Sequence, residues 1–111
     1  MKKYQVKVTL QANEQLLEYA LYIQNELYNP QAAKKFLEDI RNAVNNLEHS
    51  PNRHPLTEEE PWHSMGIRRA VVRGYLVYFW VDDETDTVHV IAVIYEKRDQ
   101  AEQLSKINIE D

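Results

Sequence analysis

Apolar and polar side chains alternate strictly over residues 3–10: Tyr4, Val6, Val8 and Leu10 share one face, and Lys3, Gln5, Lys7 and Thr9 the other. A period of two predicts a half-buried β-strand. The period then lengthens, with Leu16, Leu17, Ala20, Leu21, Ile23, Leu27 and Tyr28 recurring at three- and four-residue spacing. That predicts a helix capped by Asn13 and running to about Tyr28. Asn29-Pro30 reads as an N-cap followed by proline at the first helical position, where its missing N–H costs nothing. The second helix should bury Ala33, Phe36, Leu37, Ile40, Val44 and Leu47, turn Lys34, Lys35, Glu38, Asp39 and Arg41 to water, and stop at Ser50-Pro51. So short a connection predicts a helical hairpin.

Pro51, Pro55, Pro61 and Gly66 mark residues 50–66 as an irregular connection. Beyond it the pattern is β throughout: residues 67–73, 75–81 and 87–95 read as strands, with a turn at Arg73-Gly74 and an acidic turn over residues 82–86. The last two strands are apolar on both faces, as central strands are. The expected fold class is α+β: a strand, a helical hairpin, then a three-stranded antiparallel meander, forming one sheet with the helices packed on one face. Residues 1–99 make up the expected domain. Residues 100–111 form a polar C-terminal tail whose apolar members are Leu104, Ile107 and Ile109, either a short helix or a segment that orders on a partner.

Composition narrows the chemistry. A chain of 111 residues is long enough for one core. The absence of cysteine excludes a disulfide framework, a thiolate metal site and a cysteine nucleophile. A net charge of −5 argues against broad attraction to nucleic acid, which cations meeting phosphates drive. Met1-Lys2-Lys3-Tyr4 has no apolar segment behind its charges, and no run approaches the roughly 18 apolar residues of a membrane span. The expectation is a soluble, cytoplasmic protein with no membrane partner. His49, His54 and His63 with Glu58, Glu59 and Glu60 match no zinc spacing, so no metal is expected. His89, inside an apolar strand, reads as packed. Tyr19, Tyr22, Tyr28, Tyr75, Tyr78 and Trp80 offer more aromatic surface than a small core buries, and the remainder suits anchoring a partner. Trp62 reads as packing within its own loop.

The segments Gly66-Ile67-Arg68-Arg69-Ala70-Val71-Val72, Gly74-Tyr75-Leu76-Val77-Tyr78-Phe79 and Val93-Ile94-Tyr95-Glu96-Lys97-Arg98-Asp99, in that order, resemble RelE/ParE superfamily toxins over residues 2–99. The resemblance implies the toxin component of a type II toxin–antitoxin system, a growth inhibitor associated with plasmid stabilization. It would use no cofactor and be neutralised by a cognate antitoxin protein that wraps an extended or helical segment over it. Its target would be DNA gyrase or the ribosome with its mRNA. Ribosome-dependent members cut mRNA without metal, using the RNA's 2′-hydroxyl, which requires a general base, a general acid and cations on the phosphate. In those members a basic residue typically follows the third-strand tyrosine, and a ring lies near the C-terminus. Here Leu76 follows Tyr75, and no Tyr, His, Phe or Trp follows Tyr95.

For a nuclease, the resemblance leaves Arg69, Arg73 and Arg98 as phosphate-holding residues, with Arg68 and Lys97 as further cations. Tyr95 would be the acid or base, and Tyr75, Tyr78 and His89 its substitutes. Whether the chain is an enzyme, a metal-independent endoribonuclease, therefore stays open. The missing residues and the acidic charge favour a ParE-like inhibitor of DNA gyrase. The alternatives are a ribosome-dependent mRNA endoribonuclease of RelE type, and a degenerate, non-toxic member that only binds antitoxin.

Overall fold

Strand β1, Gln5–Val8, passes directly into helix α1, Leu10–Asn25, in the computed structural model, which describes residues 2–109. The cap is Thr9 and not Asn13. The Thr9 hydroxyl accepts a hydrogen bond from the Ala12 amide at 3.1 Å, while its own amide donates to the Val90 carbonyl at 3.0 Å. One residue thus ends the strand ladder and starts the helix, leaving no linker for the sequence pattern to reveal. The alternation of the sequence runs on to Leu10, but that residue is already helical and exposed. At the other end α1 stops at Asn25, short of Tyr28, whose positive φ of 51° breaks the spiral. Helix α2, Pro30–Asn46, starts as expected: the Asn29 side chain accepts from the Ala32 amide at 3.0 Å with Pro30 in the first turn.

Strands β2 (Arg68–Val72), β3 (Tyr75–Asp82) and β4 (Thr87–Tyr95) form the antiparallel meander. Arg73 and Gly74 between β2 and β3 both take positive φ, 49° and 81°, which the tight two-residue hairpin requires. Strand β1 joins parallel to β4, giving the order β1-β4-β3-β2. Residues 55–57 lie along the outer edge of β2: Thr57 donates to the Ile67 carbonyl at 2.8 Å and Arg69 to that of Pro55 at 3.1 Å. This blunts an edge otherwise open to pairing.

Each face of the sheet has its own core. Val77, Phe79, Val88, Val90 and Val93 meet Leu16, Phe36, Ile40 and Val44 of the helices. On the other face Ile67, Leu76, Tyr78, Ile91 and Ile94 surround Leu104 of a third helix, α3 (Gln100–Ser105), with Trp62, Trp80, Ile107 and Ile109 at the margin. An irregularity in register between Tyr78 and Phe79 lets consecutive Ile91 and Ala92 of β4 both serve this second core. The two-sided apolar character of β3 and β4 thus has its physical cause.

The tail takes the helical alternative. Six residues cannot hold a helix in water alone, so tertiary contacts must: the Asp99 side chain caps it at the Glu102 amide (3.1 Å), and Leu104 is buried. Gln11 of α1 clamps residues 106–108, its amide nitrogen donating to the Lys106 carbonyl and its oxygen accepting from the Asn108 amide, both at 2.9 Å. Leu104→Ala should cost about 2–3 kcal/mol in urea unfolding, at the low end for leucine truncation because so short a helix can settle into the space. An unchanged midpoint would show that the tail adds nothing to the fold. Among the described residues no helix is long and apolar enough to cross a membrane.

Candidate functional site

Strand β1 pairs with β4 only as far as Val90, so the outer edge of β4 beyond it lacks a neighbouring strand. Helix α1 takes that place. Gln15 Oε1 accepts from the Val93 amide and Tyr19 Oη from the Tyr95 amide, both at 3.0 Å. Four helical residues advance about 6 Å and two strand residues about 6.6–6.8 Å. The two side-chain acceptors therefore fall opposite the two outward amides.

This close approach leaves a groove of about 630 Å³ between the C-terminal half of α1 and the ends of β3 and β4. Its walls are Tyr19, Tyr22, Ile23, Leu27, Tyr75 and Tyr95, with Glu18 and Arg98 as charged members. Tyr75 is the hub: ring centroids lie 4.6 Å away at Phe36, 5.1 Å at Tyr19 and 5.3 Å at Tyr95. Burial, with Tyr19 and Tyr95 beside it, raises the Tyr75 pKa above the ordinary phenol value. Tyr22, Leu27 and Tyr95 remain exposed.

The arginines expected to hold a phosphate are distributed over both faces. Arg98 lines the groove with Tyr95 and Tyr75, and its guanidinium forms no ion pair among the described residues. Arg73 borders an adjoining hollow that shares Ile23 and Tyr75, but it is paired to Asp39 at 2.6 Å, where Lys35 also binds at 3.1 Å. Arg69 stands opposite Tyr78 in register and so shares the second face, 3.9 Å from Glu59. Arg68 is occupied by the long connection, donating to the carbonyls of Asn52 at 3.2 Å and His54 at 2.6 Å. Lys97 is exposed. The strands bring together Arg98, Tyr95 and Tyr75, with Arg73 nearby and Arg69 behind the sheet.

The remaining titratable side chains have structural surroundings. Tyr78 is fully buried, its hydroxyl donating to Gln100 Oε1 at 2.8 Å. Burial first, then Glu59, push its pKa up to about 12 against the opposing Arg69. At neutral pH it holds its proton. Because the folded-state pKa is the higher one, its stabilising contribution is complete below pH 10 and declines as pH rises from about 10 through about 12. Phenolate absorbance should include a late step near pH 12 that Tyr78→Phe removes; a normal midpoint for every tyrosine would contradict this. His89 stacks on Trp80 at 4.4 Å, and Leu76 lies in the second core. His49 faces Glu48, His54 packs edge-on against Phe79, and His63 meets the Thr57 carbonyl. No cluster of three or more His, Cys, Asp or Glu side chains suited to a metal occurs among the described residues.

The sequence marks Tyr19, Tyr22 and Tyr75 as aromatic surplus, but it does not single out Glu18 or the outward placement of Leu27. The available signal is that Leu17, Leu21 and Leu27 exceed what one buried stripe of a helix accommodates.

Residues 6–100 match the family model described as ParE toxin of type II toxin-antitoxin system, parDE. No curated protein matches the chain. Among the solved structures that share the fold are three toxins or toxin–antitoxin systems. The chromosomal ParDE system of P. aeruginosa has a TM-score of 0.69 at 19% identity, covering 86% of this chain and 98% of that one. The toxin–antitoxin complex RelBE2 of Mycobacterium tuberculosis has a TM-score of 0.60 at 20% identity, covering 84% and 98%. A free-state arginine-to-alanine double mutant of the E. coli toxin RelE has a TM-score of 0.54 at 15% identity, covering 91% and 92%.

Proposed function

We propose, since this chain belongs to the ParE toxin family of type II toxin–antitoxin systems, that it arrests growth by binding DNA gyrase through the aromatic groove, without RNA-cutting chemistry. The observation that carries this reading is the groove's composition: four tyrosines and two aliphatic side chains around one cation, Arg98. Part-exposed tyrosines bring large contact area at low entropic cost, which suits protein recognition. Metal-free RNA cleavage instead needs a positioned acid, a base and several cations. The position after Tyr75 holds buried Leu76, Arg69 lies on the other face, and Tyr78 keeps its proton. Losing a positioned acid or base lowers a rate by about 10²–10⁴. With gyrase as target, the chain acts in the cytoplasm, and a cognate antitoxin neutralises it there.

Primer extension on several abundant transcripts after induction tests this reading. Growth should stop without cuts linked to codons. Discrete cuts within translated codons that disappear with Arg98→Ala would install the nuclease reading instead, and induction without growth arrest would favour a degenerate member.

A further inference from the structure

Where β4 ends the chain turns into α3, and Gln100, the first residue of that helix, ties the turn together. Its Nε2 donates to the Tyr95 and Arg98 carbonyls, each at 2.9 Å, while its Oε1 accepts from the buried Tyr78 hydroxyl at 2.8 Å. Both amide hydrogens and one oxygen lone pair are thus engaged. The same set fixes the orientation of the amide, because a flipped one would press its oxygen against two carbonyls.

Residues 96–99 are exposed, and an exposed turn ordinarily leaves its backbone groups to water. Here they are pinned. The Glu96 amide donates to the Gly74 carbonyl at 2.9 Å and the Arg98 amide to the Tyr95 carbonyl at 3.0 Å, so Arg98 is held by its amide and, through Gln100, by its carbonyl. Its side chain is not held: the guanidinium lines the groove without an ion pair among the described residues. Neighbouring carboxylates leave it free as well, since Asp99 caps the Glu102 amide and Glu18, across the groove, forms no ion pair among the described residues. A fixed base under a free head lowers the ordering cost when a partner takes up a long side chain.

The planar fork of arginine matches a carboxylate or a phosphate. A nucleic-acid backbone brings a row of negative charges, which a chain of net charge −5 with Glu18 in the same groove repels. One carboxylate beside apolar side chains suits a groove of four tyrosines and two aliphatic residues around a single cation. We infer that Gln100 is the positioning residue that holds Arg98 at the groove, and that Arg98 there receives a carboxylate of the gyrase segment the groove binds. This rests on the reading of the chain as a gyrase-binding inhibitor. Gln100 touches no partner itself and acts through the turn that carries Arg98.

Isothermal titration of the purified chain against DNA gyrase, without DNA, decides the matter, with circular dichroism checking that each variant is folded. Arg98→Ala should weaken binding about 30-fold or more and flatten its dependence on salt. Gln100→Met should weaken it about tenfold in the wild-type chain but less than about twofold in the Arg98→Ala chain. Leu104→Ala removes the buried anchor of α3 and no partner of Gln100, so it should stay within about twofold of wild type. An equal loss from Gln100→Met with or without Arg98, or a loss from Leu104→Ala as large as that from Gln100→Met, overturns the positioning role. An unchanged salt slope in Arg98→Ala, or binding that appears only when DNA is added, overturns the carboxylate. A wild-type chain that binds no gyrase overturns the gyrase reading, and the roles of Gln100 and Arg98 fall with it. Should Gln100→Met not fold, Gln100→Met with Tyr78→Phe, which leaves no buried hydroxyl without an acceptor, is compared with Tyr78→Phe alone.

Discussion

Tyr22→Ala combined with Tyr95→Ala is expected to abolish growth arrest while the protein stays folded. Both rings stand at the mouth of the groove, 55% and 37% exposed, so neither is a principal core residue. Truncating a tyrosine anchor of an interface costs about 2 kcal/mol or more, and two together weaken binding by roughly 10²–10³-fold. The cost to folding is smaller. Tyr95 loses its ring contact with Tyr75 at 5.3 Å, on the order of 1 kcal/mol. Its backbone amide keeps the hydrogen bond to Tyr19. Colony counts after induction, at matched protein level, measure the effect. Unchanged killing would remove the groove from the account.

Phe79→Ala should lower stability by about 3–5 kcal/mol in urea titration. Phe79 is fully buried in the middle of β3, with Arg68 and Val90 as cross-strand neighbours and the His54 ring 5.7 Å away. Two helices, a sheet and a loop would all lose a packing surface at once. Small domains hold only about 5–15 kcal/mol in total, so the variant should be marginal at growth temperature. A loss under about 1 kcal/mol would mean that the core collapses around the vacancy.

Local chemistry made much of this fold legible. Asn29-Pro30 marked the start of α2, and Arg73-Gly74 marked the hairpin between β2 and β3, because each demands a particular backbone conformation. Thr9 was hidden because the alternation that identifies β1 continues unbroken through Leu10, although the chain has already turned helical. Long-range pairing was not readable at all. The parallel register of β1 on β4, and the irregularity that turns Ile91 and Ala92 to one face, depend on partners some 80 positions apart or on tertiary packing. Arg69, Arg73 and Arg98 were visible as cations, but their convergence depends on strand register and local partners. Register puts Arg69 behind the sheet beside Tyr78, and Asp39 of α2 takes Arg73. Arg98 and Tyr95 remained together because only two residues separate them at the end of β4.

Plasmid supercoiling by purified DNA gyrase, with this chain added, tests the central claim most directly. A binding inhibitor should stop supercoiling at concentrations comparable to the enzyme, Tyr22→Ala with Tyr95→Ala should lose that effect, and added antitoxin should restore activity. Undiminished supercoiling in the presence of a large excess of folded chain that still arrests growth in cells would contradict it.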